Sequence, residues 1–248
     1  MYLVGDIGNS EVKVCLVNSK KIIIKRINFT SNNMSLKKIK NNLSSINGYY
    51  SNIDKILFCS VVPKVFRLIK LFLKTKTNIR CFEIKDLNLS SFLKIKVKYK
   101  QVGSDRIANS ISLVKNKKNF IIIDLGTATT FDVLIDKNYV GGIIAPGIKI
   151  SLNTLSDNAT LIPKINLKKI NKVIGKDTKS AVRSGFFWGY AGLIDNIINL
   201  IKKETRKSFK VIITGGFSKL IKNPIKTNVV EDKNITLKGL IKTLELIK

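Results

Sequence analysis

The alternation of apolar and polar positions predicts a strand–turn–strand hairpin near the middle of the chain. The run 120–123 is wholly apolar and ends at Asp124, Gly126 breaks the pattern, and alternation resumes from Thr130. A short apolar run bounded by a turn signal is typical of a buried strand, and the alternation that follows is typical of its hairpin partner. The carboxylate therefore lies at the end of a strand, beside a turn whose backbone N–H groups can face a ligand.

The same pattern occurs at the start of the chain. An apolar run at 2–5 leads to Asp6, then Gly8, and a second apolar-rich stretch follows at 12–17. Two units with the order strand, Asp-x-Gly, strand predict a duplicated domain that binds one ligand from two sides.

The remaining periodicity predicts strands and helices along the whole chain. The predicted strands are at about 2–6, 11–18, 20–28, 55–61, 79–84, 93–99, 119–124, 129–136, 139–145 and 209–214. The predicted helices are at about 33–46, 65–73, 107–114, 178–203 and 236–247, with a short one after Pro146 and Gly147. The polar stretch 116–119 is the best linker candidate. We therefore divide the chain into an N-terminal domain, 1–117, and a C-terminal domain, 118–248.

Composition indicates a globular protein without a membrane segment. The 248 residues are 44% hydrophobic and 25% charged, as in folded domains rather than disordered ones. No apolar run approaches the roughly 18 residues that cross a bilayer, and the start of the chain does not resemble a signal peptide. We therefore expect a cytoplasmic protein with no membrane partner.

The net charge of +29 raises the question of a nucleic-acid partner. Only six of the 45 basic residues are arginine, the side chain that base reading and bidentate phosphate contacts favour. The lysines are scattered through every segment. We therefore expect no specific nucleic-acid partner, although weak, salt-sensitive binding to polyanions follows from the charge.

The chain has no histidine, which restricts the residues that could act as a catalytic base. This excludes catalysis by a histidine base and every nucleophile that a histidine would activate. A proton acceptor must come from the 16 acidic residues or from Lys, Cys or Tyr.

Asp6 and the residues after it form the first candidate site. Gly8 lets a polyphosphate approach the backbone closely, and successive N–H groups of such a loop bind anions. A carboxylate beside phosphate would hold hydrated Mg²⁺, and Lys13 on the partner strand could reach a phosphate as a mobile charge. The alternative is an ordinary hairpin with an Asp-x-Gly turn.

Asp105 and Arg106 form the second candidate site, at the predicted start of a helix. The helix dipole and the neighbouring guanidinium favour an ionised Asp105, which would be a weak base of the kind that phosphoryl transfer tolerates. Arg106 offers a planar fork that suits a substrate carboxylate. The alternative is a helix-terminal acid beside a surface arginine.

The second half of the chain adds three candidates with open alternatives. Asp124, at the end of its predicted strand, could merely cap its own turn. Thr178 could simply be the N-cap of the long helix. Small residues recur along that helix at 181, 185, 189 and 192. Because they allow close approach of another backbone, we expect a homodimer with this helix at or near the interface.

Seven short motifs occur in the order seen in type III pantothenate kinases, which the chain resembles from residue 2 to about residue 217. This family belongs to the actin-like superfamily, together with the acetate and sugar kinases. The motifs are Asp6-Ile7-Gly8-Asn9-Ser10-x-x-Lys13, Ser60-Val61-Val62-Pro63, Gly103-Ser104-Asp105-Arg106, Asp124-Leu125-Gly126-Thr127-Ala128, Gly141-Gly142…Pro146-Gly147, Gly175-Lys176-Asp177-Thr178 and Thr214-Gly215-Gly216.

The resemblance implies an α/β fold of two duplicated actin-like (ribonuclease H-like) domains, with mixed sheets flanked by helices and ATP in the cleft between them. It implies an ATP-dependent kinase that phosphorylates pantothenate to 4'-phosphopantothenate, the first step of coenzyme A biosynthesis. It also implies Mg²⁺ with the ATP and a monovalent cation, potassium or ammonium.

The resemblance also implies roles for individual residues. Asp105 takes the place of the proton acceptor, Asp124 helps to hold the monovalent cation, and Asp6 holds Mg²⁺ through water. The residues implied to bind ATP are Asp6, Ile7, Gly8, Asn9, Ser10, Lys13 and Thr127. The residues implied to contact pantothenate are Tyr99, Gly103, Ser104, Asp105, Arg106 and Thr178.

One segment departs from the family pattern. Tyr99 precedes Gly103 by four residues, where family members usually have a tyrosine-containing stretch seven residues before this glycine. About three residues of the substrate-side loop are therefore missing. Two alternative functions stay open: another actin-like phosphotransferase with a different small hydroxyl substrate, and a catalytically idle homologue that regulates or binds polyanions.

Overall fold

The alternating segments of the chain form two sheets. The computed structural model describes residues 1–114 and 118–247. The strands are β1 Tyr2–Ile7, β2 Glu11–Val17, β3 Ile23–Thr30, β4 Lys55–Ser60, β5 Cys81–Glu83, β6 Lys94–Ile95, β7 Phe120–Leu125, β8 Ala128–Ile135, β9 Asn138–Pro146, β10 Lys210–Thr214 and β11 Val229–Glu231. The helices are α1 Leu36–Asn42, α2 Pro63–Lys74, α3 Ser104–Leu113, α4 Ile148–Asn158, α5 Thr178–Thr205, α6 Ser218–Ile221 and α7 Ile235–Thr243.

The chain divides into two compact units. The first unit contains Met1–Val114 together with Asn234–Lys248, and the second contains Lys115–Lys233. The predicted domains, 1–117 and 118–248, differ from these units because the C-terminal helix packs in the first unit. A side chain at Gly239 would overlap the backbone of Ala108, so α7 lies in close backbone contact with α3. Part of the predicted linker, 116–117, lies outside the described residues, and the domain division stays a prediction.

The sheet of the first unit has the strand order β3-β2-β1-β4-β5. β1 pairs antiparallel with β2 and parallel with β4, so that β1 is central. Its side chains at Leu3 and Ile7 are fully buried and join one apolar core with residues of α1 and α2. Proline at the first position of α2 has no N–H to leave unpaired there, which favours a helix start.

The second unit repeats this arrangement with the strand order β11-β10-β7-β8-β9. β7 pairs antiparallel with β8 and parallel with β10, as β1 does with β2 and β4. Each sheet is thus an antiparallel meander of three strands continued by two parallel strands. The predicted duplication and the mixed sheets flanked by helices are confirmed.

Several local predictions needed correction. The helix expected at 33–46 is divided between α1 and a 3₁₀ helix at Ser44–Asn52. The strand expected at 93–99 is only the two-residue β6, and α6 and β11 were not predicted. These elements have four residues or fewer, too few to show a periodicity in the sequence. Within the part of the chain that the structure describes, no helix is long and apolar enough to cross a membrane.

Candidate active site

The first hairpin places Asp6 directly opposite Lys13 on the paired strands β1 and β2. The turn between them is closed by a hydrogen bond from the Gly8 N–H to the Glu11 carbonyl, at 3.0 Å. Ser31 supports this turn, because its hydroxyl donates to the Gly8 carbonyl at 2.5 Å. The turn also contains the predicted ATP ligands Ile7, Asn9 and Ser10: Ile7 is buried, whereas Asn9 and Ser10 are exposed.

The surroundings of Asp6 disfavour the ionised form of its carboxyl group, mainly because the side chain is buried. Burial raises the pKa of Asp6 to about 6, the Lys13 ammonium opposes this rise, and the nearby Asp105 carboxylate adds to it. The buried Cys59 thiol donates to Asp6 Oδ1 at 3.4 Å. The structure therefore brings the predicted residues Asp6, Lys13 and Asp105 together. A carboxyl group whose pKa is raised, and which lies beside other charged side chains, is typical of a functional site.

Asp105 is the second residue of α3, and its carboxylate folds back towards the helix start. Its Oδ1 accepts a hydrogen bond from the Arg106 N–H at 2.8 Å, and a side chain at Gly103 would overlap that oxygen. Glycine at this position therefore leaves the space that the carboxylate occupies. Ser104, the first helical residue, is buried beside it.

The expected direction of the Asp105 pKa shift was wrong. Burial raises the pKa of Asp105 above its ordinary value, and the N–H and charge of Arg106 only reduce that rise. Desolvation depends on the packing of the whole unit, which the local sequence does not show. A raised pKa makes Asp105 a stronger base than the sequence suggested.

Tyr99 lies in a single 3₁₀ turn, Tyr99–Gln101, that leads to Gly103. Its hydroxyl donates to the carbonyl of Lys85 at 3.1 Å, so the side chain is fastened to backbone within its own unit. The predicted contact of Tyr99 with substrate stays a prediction.

In the second unit, Asp124 lies near the end of β7, opposite Thr130 on β8 and Thr214 on β10. Gly215, at φ +94°, lies so close that a side chain there would come within 2.6 Å of Asp124 Oδ1. The Thr130 hydroxyl is buried and has no hydrogen-bond partner among the described residues. One carboxylate with neighbouring hydroxyl oxygens is a donor set that suits a hard cation of low charge.

Thr127 and Thr178 are both exposed residues of the second unit. Thr127 is at the tip of the β7–β8 turn, where its carbonyl packs tightly against Gly147. Thr178 is the first residue of α5, but the cap of this helix is Asp177, whose side chain accepts from the Ser180 N–H. The suggestion that Thr178 is the N-cap was therefore wrong, and its hydroxyl is available for other contacts.

Two residues in the first unit's site, Cys59 and Glu83, were not predicted from the sequence. Glu83 accepts hydrogen bonds from the N–H groups of Ser60 and Lys85. The scarcity of acidic residues could have drawn attention to an acid at the end of a predicted strand.

The acidic residues of the site suit a metal ion that is held by only one or two carboxylates. No cluster of three or more acidic or cysteine side chains that could hold a metal ion occurs within residues 1–114 and 118–247. Mg²⁺ commonly keeps several waters and is held by one or two carboxylates plus the phosphates of a substrate. Asp6, beside Asp105, fits this role.

Comparisons with known proteins agree on one family. The family model for type III pantothenate kinases matches residues 2–200. A protein of Pelagibacter ubique (strain HTCC1062) named type III pantothenate kinase is 61% identical over 248 residues, covering 100% of both chains.

Solved structures share the fold at low sequence identity. One from Campylobacter jejuni, described as a conserved Baf family transcriptional activator, has a TM-score of 0.59 at 21% identity, covering 98% of this chain and 97% of that one. A ROK family glucokinase from Streptomyces griseus has a TM-score of 0.52 at 12% identity, covering 99% and 98%. These likenesses show the fold alone, that of the actin-like ATPases and sugar kinases.

Proposed function

This chain belongs to the type III pantothenate kinases, and from that premise we propose which of its residues carry out the reaction. The enzyme is an ATP-dependent kinase that phosphorylates pantothenate to 4'-phosphopantothenate in coenzyme A biosynthesis. We further propose that it acts in the cytoplasm. The observation that carries the residue assignment is the cluster of Asp6, Lys13 and Asp105 in one unit of the fold.

Asp105 is the general base. Its carboxylate accepts the proton of the substrate hydroxyl as the oxygen attacks the terminal phosphate of ATP. A carboxylate whose pKa is raised by burial holds that proton better than an exposed one, and a positioned base matters more here than a strong one. Arg106, next to it, binds the carboxylate of pantothenate through its planar fork.

Asp6 and Lys13 act on the phosphates. Mg²⁺ neutralises the phosphate charge when bound, and Asp6 would hold it through water. Lys13 contributes a mobile positive charge, and the exposed turn residue Asn9 offers its backbone N–H group. Gly8 and Ser10 are assigned to ATP by their positions in the same motif. We also assign Thr127 to ATP and Tyr99, Gly103, Ser104 and Thr178 to pantothenate, by the positions that they occupy in the motifs.

The assignment is tested by coupled measurement of ADP release with pantothenate, against glucose and glycerol as other hydroxyl substrates. We expect release that depends on pantothenate. Release with another alcohol alone would favour a different phosphotransferase. No release with any acceptor, from a protein that still binds Mg-ATP, would favour the idle homologue.

We expect activity to require potassium or ammonium, and Asp124→Asn to abolish the response to these ions. The supporting observations are the carboxylate at the strand end and the unpartnered Thr130 hydroxyl. The measurement is kcat in potassium, ammonium and sodium buffers of equal ionic strength. Asp157→Asn, an exposed acid of α4, is the matched control and should respond like the wild type. Equal activity in sodium-only buffer would remove the cation assignment.

We expect a homodimer whose interface includes the exposed face of α5. Gly185, Gly189 and Gly192 are exposed, and a Cβ at any of them would meet nothing within 4 Å. Gly189→Arg therefore disturbs no packing within the chain and even improves helix propensity by about 1 kcal/mol, but places a charge in the expected interface.

Light scattering at micromolar concentration should return a dimer for the wild type and a monomer for Gly189→Arg. The control Asn41→Arg makes a similar change at an exposed position of α1 and should stay dimeric. A monomeric wild type would contradict this expectation.

A further inference from the structure

Glu83 joins three segments that meet beside Asp105. Its Oε1 accepts from the Ser60 N–H at the end of β4, at 3.3 Å, and its Oε2 accepts from the Lys85 N–H at 2.7 Å. The Ser104 hydroxyl, at the start of α3, donates to the Ser60 carbonyl at 3.3 Å, so that Ser60 connects Glu83 to Ser104. We propose that Glu83, with Lys85, is a positioning residue that sets the place of Asp105 and of the shortened loop before it.

Lys85 fixes the loop on the other side of Gly103. Its ammonium donates to the carbonyl of Lys100 at 3.2 Å and to that of Val102 at 2.9 Å. It also lies 5.4 Å from the centre of the Tyr99 ring, whose hydroxyl donates back to the Lys85 carbonyl. These contacts hold both ends of the segment 99–102 against the turn at 84–86.

The two residues therefore hold the chain on both sides of Gly103. Glu83 binds the N–H of Ser60, whose carbonyl accepts from the Ser104 hydroxyl immediately before Asp105. Lys85 binds the carbonyl of Val102, immediately before Gly103. The loop that leads to Asp105 is short, since only three residues separate Tyr99 from Gly103. Glu83 and the turn at 84–86 hold the segment 99–104 in place, which a longer loop could do through its own packing.

The Glu83 carboxylate is itself held in place by its surroundings. Burial raises the pKa of Glu83, while hydrogen bonds from the N–H groups of Lys85 and Ser60 oppose that rise. Removing an acceptor from two backbone N–H groups in a partly buried place leaves them without partners. The Ser60–Ser104 region is then free to shift, and a displacement of about 1 Å at a reacting group can reduce the rate about 100-fold.

This inference rests on the proposed function for its kinetic readout. In Glu83→Gln the amide keeps the size of the side chain but turns an N–H₂ group towards a backbone N–H that needs an acceptor. We expect kcat to fall about tenfold, within the range for small displacements of a base, and KM for pantothenate to rise, while KM for ATP changes less than about twofold.

Lys85 supplies variants that keep the test decisive if Glu83→Gln folds poorly. Lys85→Met keeps the stem and loses the ammonium, so KM for pantothenate should rise more than kcat falls. Lys85→Arg keeps the donors and should restore most of the loss. Lys96→Met, an exposed lysine of the adjoining segment, should behave like the wild type.

Amide hydrogen exchange gives a readout that needs no substrate. Glu83→Gln and Lys85→Met should speed exchange in the segment 99–107, with exchange in β7 and β8 unchanged. If exchange and pantothenate kinetics match the wild type in both variants, the positioning role is wrong. If the wild type releases no ADP with pantothenate, the proposed function fails, and exchange alone still decides the role of Glu83 and Lys85.

Discussion

Asp6→Asn is expected to remove most of the kinase activity and, at neutral pH, to make the protein more resistant to heat. Burial and the neighbouring Asp105 raise the pKa of Asp6 from 3.8 to about 6. Its ionised form is therefore destabilising in the folded protein, and the uncharged amide removes that effect. The same change removes the carboxylate that would hold Mg²⁺ through water, so activity and stability should move in opposite directions.

The pH dependence of this effect has a definite sign. Between pH 3.8 and about 6 the folded protein binds more protons at Asp6 than the unfolded chain does. The free energy of unfolding therefore falls as the pH rises through this window. Above it, the ionised Asp6 destabilises the folded protein by about 3 kcal/mol. The amide variant lacks this penalty at every pH.

Calorimetry of the ligand-free protein at two pH values tests the expectation. At pH 7.5 the Tm of Asp6→Asn should exceed that of the wild type by about 6–12 °C, and at pH 4 the two should be close. Asp157→Asn, at an exposed position, should shift neither value. A Tm at or below that of the wild type at pH 7.5 would show that Asp6 is better compensated in the fold than its surroundings indicate.

Much of the fold could be predicted because alternation assigns side chains to faces. The apolar stretches at 2–5 and 12–17 predict two paired strands with Asp6 and Lys13 near the hairpin end, and the register shows the two residues directly opposite each other. The hairpin predicted around Gly126 is likewise present, and its register places Asp124 opposite Thr130. Both results depend only on neighbours in one hairpin, which short-range patterns describe well.

Contacts between distant segments could not be predicted. The amphipathic pattern of 236–247 predicts a helix but not its partner, and its close packing on Ala108 depends on the whole first unit. Glu83 is separated from Ser60 and Ser104 by more than twenty residues in each direction, and no motif connects them. Its site is formed only when β4, β5 and α3 come together.

The pKa of Asp105 could not be predicted from the neighbouring residues either. The residues next to it favour ionisation, whereas the structure buries the carboxylate and raises its pKa. Desolvation outweighs the helix start and Arg106 because it depends on all the surrounding atoms. The neighbouring residues therefore indicated the wrong direction for the pKa shift of Asp105, although the sequence placed the residue correctly at the start of α3.

Asp105→Asn is expected to lower kcat by about 10²–10⁴-fold, the range for removal of a positioned general base. The amide keeps the shape and can still accept from the Arg106 N–H, so the helix start should stay in place. ATP binding, which we assign to residues 6–13, should change little. In the wild type, activity should rise with pH through the raised pKa of Asp105, and the variant should lose that dependence.

Arg106→Lys provides the contrasting variant for this experiment. Lysine keeps the charge and loses the planar fork, so KM for pantothenate should rise more than kcat falls. Steady-state kinetics with each substrate varied in turn, from pH 5 to pH 9, separate the two effects. If Asp105→Asn kept most of its kcat, Asp105 would be only a helix-terminal acid. In a chain without histidine, the base would then have to be another of the few acidic residues, and Asp6 is the carboxylate already placed beside it.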